Sequence, residues 1–357
     1  MVDEVARDQK FPELPRASLR LGAVVGPTRS VVSESRQERY TVDILDLDVG
    51  EAPATSIPLD FFGHGLAMHP RRPAEAALFE KRGSGGCLLD LATRKMVRPL
   101  APMKGHAFYG HAAYSREGDA LFVVETNLDN KQGVISIRDS TTFDVLDSFL
   151  TYGVAPHDCH LVEDGRTLVI ANGGGSIDSS FLPSVTFVDV NSWVLLEKFE
   201  VLDRNRNVGH VAVAANREFA AVSAPRDGLP PRTALGGVSL RRHGQPLAHV
   251  VEPTSITTRL IGESLSVAIH GPSRAVVATH PDADLITFWS LDSGALVGKL
   301  EVPGPRGVTV TLDERLYIVS YGRDGRVALI QADPVQVLPY QLATGVFGGA
   351  HLYTWAG

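Results

Sequence analysis

Seven four-stranded sheets closed into a β-propeller are the fold that this chain of 357 residues predicts, and three observations lead there. A strand-turn-strand phrase recurs along the sequence. It reads FGHGLAMHP at His64, YGHAAYSREGDALFVVETN at His111, GVAPHDCHLVEDGRTLVIANGG at His157 and NVGHVAVAANREFAAVSAPR at His210, then SLSVAIHGPSRAVVATHP from Ser266 and GVTVTLDERLYIVSYGR from Gly307. GGAHLYTW, at His351, is a truncated start. The starts lie 41 to 56 residues apart, the length of one propeller blade with some loop growth. No long stretch carries an apolar stripe of period 3.6, so helices should be few.

In chain order, 1–18 is polar and proline-punctuated and predicts a surface arm, leaving 19–357 as one propeller domain. Segments 19–32 and 40–47 alternate apolar and polar residues as half-buried strands do, and 55–62 reads as a third. These three, joined by the C-terminal GGAHLYTW as innermost strand, would complete the last blade and leave no open sheet edge. Later in each copy the third strand and its turn also rhyme: CLLDLATRKMVRPL, VISIRDSTTFDVLDSF, VTFVDVNSWVLLEKF and ITFWSLDSGALVGKL. Two insertions, 173–183 and 227–237, break the rhythm, and on repeat proteins such insertions gather on one, often functional, face.

Bulk composition narrows the partners. Hydrophobic residues at 44% and charged ones at 21% are globular values. A net charge of −7 without a basic run excludes nucleic acid. Two cysteines, Cys87 and Cys159, make no disulfide framework. Nothing approaches 18 consecutive apolar residues, so no membrane span is expected. MVDEVARDQKFPELPR has neither a basic nor an apolar leader region, so the chain as written reads as cytoplasmic, or as periplasmic if an export signal has been removed.

The first residue of each innermost strand stands at one mouth of the channel, on the face where second strands end. His351, His64, His111, His157 and His210 therefore converge from five consecutive blades, with Ser266 and Gly307 completing the circle. Neutral imidazoles in such a ring are a nitrogen-donor site suited to copper, iron or zinc, with copper the first choice. Their pKa values should be pulled down by mutual repulsion. Around them, the ends of second strands and adjoining loops offer Arg82, Glu125, Asn127, Asn172, Arg226 and His280 as ligand-binding candidates, and His106 lies in the loop before the His111 strand. The competing reading is structural: Gly-His pairs at 63–64, 110–111 and 209–210 resemble the hydrogen-bonded Gly-His of WD40-like propellers, although the Trp-Asp partner is absent and the third copy has Pro156 before His157. His160 reads as a core histidine.

The phrases GHGLAMHP, FYGHAAYSREGDALFVVETN and GVAPHDCHLVEDGRTLVIANGG resemble the bacterial propeller proteins grouped as domain of unknown function 1513, over roughly 60–330. That resemblance implies a seven-bladed YVTN/WD40-like propeller with repeated histidines at His64, His111, His157 and His210. It also implies a periplasmic setting beside imelysin-like and di-haem proteins of metal uptake. The expected function is a metal-binding propeller for copper or iron uptake, storage, delivery or redox assistance, with metal-uptake or redox proteins as partners. The alternatives are a metal-dependent oxidoreductase or hydrolase using the same site, and a metal-free interaction scaffold with structural histidines.

Overall fold

A computed structural model describes residues 21–31, 37–48, 53–162, 165–322, 324–333, 335–343 and 345–357; the expected arm at 1–18 lies outside them. The described chain is an all-β propeller with little helix. Five four-stranded sheets stand as separate blades rather than the expected seven, because the remaining eight strands form one continuous sheet. That sheet comprises two four-strand units, Gly63–Met68 to Lys95–Pro99 and His106–Tyr114 to Val145–Val154. They are stitched by ladder pairs Lys81↔Tyr109 and Gly83↔Phe108.

The innermost strands follow one another around the channel in the order Tyr353–Trp355, Gly63–Met68, His106–Tyr114, Pro156–Val162, His210–Val213, Val267–His270 and Val308–Val310. The chain ends meet in the first of these blades, where Ala23, Val24 and Val25 pair with Trp355, Thr354 and Tyr353.

Burial along the strands follows position in the blade. Second strands are apolar on both faces because blades stack face to face: Leu168–Ala171 and Phe219–Val222 are wholly buried, hence runs such as LVIA and FAAV. Outermost strands alternate instead, and LLEKFE (Leu195–Glu200) and LVGKLE (Leu296–Glu301) expose every second side chain. The polar turn between third and fourth strands has a local cause. Asp139 Oδ1 accepts the amides of Thr141 and Thr142 at 2.8 and 2.7 Å, and Asp189 Oδ1 those of Asn191 and Ser192 at 3.0 and 2.8 Å. Each Asp turn then passes through a left-handed residue, Phe143 or Trp193.

Deleting 353–357 would strip the innermost strand from the closing blade and leave the ladder edge of Ala23–Val25 unpaired. Size-exclusion chromatography of that variant should show aggregation in place of a single species.

Candidate metal centre

The five ring histidines are each at most 8% exposed, and their rings crowd the channel with centroids 4.2 to 5.7 Å apart. Two glycines make this density possible. A Cβ on Gly65 would stand 2.5 Å from the Gly110 carbonyl oxygen and 2.6 Å from His111 Nδ1, and one on Gly110 would stand 2.5 Å from His64 Cδ2. GHG and YGH are therefore one packing device, each glycine clearing space for the histidine of the neighbouring unit.

His64, His111, His210 and His351 each place a ring nitrogen within 4.8 Å of the other three, a set that could hold a metal ion. His157 stands outside that set but close to it: His64 Nε2 lies 3.2 Å from His157 Nε2 and 3.3 Å from His351 Nε2. Nitrogens bound to one tetrahedral ion at about 2.0–2.1 Å would be roughly 3.3 Å apart.

The tautomer of His210 is fixed from outside the ring. His210 Nδ1 donates to the Leu265 carbonyl at 2.6 Å, so its Nε2 carries a lone pair. His111 Nδ1 stands 3.2 Å from Asp158 Oδ1 without a hydrogen bond between them, so Asp158 acts on this ring through its charge. Both Nε2 atoms are buried without a hydrogen-bond partner. An orphaned buried polar atom costs about 1–3 kcal/mol, and a metal ion would satisfy the two together. Carboxylate and carbonyl groups behind imidazoles are the usual outer support of metal ligands.

Burial, reinforced by the neighbouring imidazoles and by Lys81, holds His64, His157 and His351 well below the ordinary histidine range. Burial likewise takes His210 down to about 3 and His111 to about 4. The ring is thus neutral and donor-ready. For Asp158, burial works to raise the pKa, yet His160 and His111 hold the carboxyl well below the usual range. Its Oδ2 accepts from His160 Nε2 and from the Val211 amide, both at 3.0 Å. His160, read from sequence as a core histidine, instead has a side chain 46% exposed on the wall of the channel cavity.

The other candidates divide. Glu125 is fully buried, and both its oxygens serve its own surroundings: Oε1 accepts from Ser136 and Arg138 at 2.6 and 2.7 Å, and Oε2 from the Met103 amide at 2.9 Å. Asn127 Oδ1 caps a turn through the amides of Asp129 and Asn130. Asn172 Nδ2 reaches Thr151 O and Thr186 Oγ1, each at 3.3 Å. His280 is held by hydroxyls at both ring nitrogens, Ser264 and Thr287, each at 2.8 Å, and burial lowers its pKa to about 3. Arg226 is fully buried with no carboxylate partner among the described residues; it donates to the carbonyls of Gly174, Gly175, Phe181 and Arg204 and so pins the 173–183 insertion. These five make hydrogen bonds that hold strands and loops. His106 opens a strand rather than lying in a loop, and its Nδ1 stands 3.1 Å from the Lys104 carbonyl oxygen. Arg82 donates to Tyr109 Oη at 2.9 Å and to Asp227 at 3.1 Å. That ion pair ties the His64 blade to the His210 blade, two blades that are not neighbours in the ring. Lys81, at a second-strand end of the mouth, and Asp158, the neighbour of His157, both act on the ring electrostatically, Lys81 against protonation of all five imidazoles and Asp158 in its favour at His111, His210 and His351.

On the other side of the ring, the channel holds a cavity of about 570 Å³ bordered by His111, His210, His351, Asp158 and Ser266.

Two outcomes test this geometry. Gly65→Ala should cost about 1–3 kcal/mol in thermal or denaturant unfolding, since backbone blocks the new methyl, and should disturb His111. Acid should destabilise the metal-free protein. Folded His111 and His210 titrate below the unfolded value near 6.5, so the unfolded chain takes up protons first. Stability is then complete above about pH 6.5 and is lost toward pH 4 and 3, by up to about 1.4 kcal/mol per pH unit per histidine. Denaturant unfolding at pH 7 and 5 reads this directly, and equal stability at the two would contradict neutral buried imidazoles.

A family profile described as "Protein of unknown function (DUF1513)" matches residues 57–353. No curated protein matches the chain in sequence. Among solved structures, the Kuenenia stuttgartiensis hydrazine synthase superposes with a TM-score of 0.65 at 13% identity, covering 85% of this chain and 94% of that one. A dihydro-heme d1 dehydrogenase, NirN, in complex with DHE gives 0.57 at 15% identity, covering 97% and 78%. A chain of a mitotic checkpoint complex gives 0.58 at 11%, covering 80% and 78%. At these identities the likeness is one of fold.

Proposed function

Since the chain belongs to the DUF1513 family, we propose that it is a metal-binding propeller whose histidine ring holds copper or, as second choice, iron, for uptake, storage, delivery or redox assistance. One observation carries this reading: His111 Nε2 and His210 Nε2 are buried without a hydrogen-bond partner among the described residues, inside a group of four histidines whose ring nitrogens lie within 4.8 Å of one another. Copper leads because the donors are all imidazole, without thiolate or carboxylate in the four-histidine set. Zinc fits the same donors. The reading takes the ring as seven four-strand units, two of them fused, and places the protein in the periplasm beside metal-uptake or redox partners.

A second reading, a metal-dependent oxidoreductase or hydrolase, is favoured by the cavity beside His111, His210 and His351, which leaves room for a substrate. A metal-free scaffold would leave the two nitrogens unsatisfied at a cost of about 1–3 kcal/mol each.

The test is metal analysis of untagged protein, with thermal melts on adding Cu(II), Fe(II) and Zn(II). At about 100 times Kd a bound ion should add about 2.7 kcal/mol. The gain should vanish in His111→Ala/His210→Ala. Absence of both metal and shift would leave the histidines as structural pegs.

A further inference from the structure

The ring has an electrostatic deficit that becomes acute once an ion is bound. Its donors are uncharged, so a divalent cation would keep its full charge in a buried site. Lys81 adds to this, lying close enough to lower the pKa of all five histidines. Glu263 and Asp227 face Lys81 itself and work to raise its pKa against the dominant effect of burial. Asp158 touches the ring with one negative charge: its Oδ2 accepts from His160 and from the Val211 amide, and its Oδ1, without a hydrogen-bond partner, lies 3.2 Å from His111 Nδ1, which leaves a divalent cation beside Lys81 only partly balanced. A buried charge must be paired, and among the described residues no further carboxylate borders the ring or the cavity.

The circle of first positions also has a break. Five of the seven carry imidazoles; the other two are Gly307, without a side chain, and Ser266, buried and bordering the cavity together with His111, His210 and His351. Ser266 sits directly after Leu265, whose carbonyl anchors His210. Its Oγ accepts the Val308 amide at 3.2 Å, which leaves the hydroxyl proton to be donated. The cavity borders His111, His210 and His351 directly, whereas the Arg82–Asp227 pair joins blades elsewhere at the mouth, so the cavity offers an approach.

We propose that the metal-loaded ring takes a small anion as exogenous ligand, entering through the channel cavity and accepting a hydrogen bond from Ser266. This rests on the metal reading above. The anion supplies the missing negative charge, coordinates on the face bordered by His111, His210 and His351, and is selected by the size of the gap that Ser266 leaves where five blades carry imidazole.

The experiment adds sodium azide to the copper-loaded full chain and follows the visible ligand-to-metal band and the copper spin-resonance spectrum. Copper affinity is measured with and without azide, because linkage requires each ligand to tighten the other by the same factor. Wild type should develop a saturable band and bind copper at least tenfold more tightly with azide present. Ser266→Ala should keep stoichiometric copper and lose at least tenfold in azide affinity, Ser266→Thr should restore it, and Arg82→Ala, outside the cavity lining, should not change it. Copper bound stoichiometrically with no azide response overturns this inference and leaves the metal reading standing, as does an unchanged azide affinity in Ser266→Ala. No copper, iron or zinc bound at all overturns both. If Ser266→Ala fails to fold, the wild-type linkage between azide and copper decides alone.

Discussion

Everything around the channel mouth follows from packing five imidazoles against one another out of contact with water. Burial forces them to be neutral, and neutrality gives each ring one donor and one acceptor nitrogen. The nitrogens must then be allotted. Leu265 takes the Nδ1 side of His210, Asp158 stands by that of His111, and what remains includes two Nε2 atoms, on His111 and His210, with no protein partner among the described residues. A site of this kind is stable with its acceptors filled and strained with them empty, which is the physical sense in which the ring invites a cation.

The propeller supplies the rigidity this needs. Blades stacked face to face bury both sides of their middle strands, so the innermost strands cannot shift singly. Asp158 shows how blades are coupled at the site: on the His157 strand, it approaches His111 in the preceding blade and accepts the Val211 amide of the following one. The Arg82–Asp227 pair is more than half exposed at both ends and contributes little energy; its importance is positional, since it joins non-adjacent blades on the histidine side.

The buried Glu125–Arg138 pair and the carbonyl-wrapped Arg226 guanidinium show why charged residues near a mouth mislead. Both sit at the strand ends where ligand groups are expected. A buried charge must, however, find its partners at short range, and here the strand-end loops provide them, so these residues lock the scaffold.

The repeat, the polar turns, the closing of the chain ends and the line of histidines were legible in the sequence, because each follows from local chemistry repeated at a fixed period. The period places His64, His111, His157, His210 and His351 at equivalent positions, and equivalent positions in a closed ring converge. Tertiary structure alone decided the rest. It fused two units through Lys81 and Tyr109, a pairing between strand ends with no local signature. It set the four-histidine group apart from His157, turned Glu125, Asn172, Arg226 and His280 to structural partners, and brought His160 to the cavity wall. Those outcomes depend on which face a side chain takes after a bulge and on which loop meets it across the ring, and distances of that kind are not written in the order of residues.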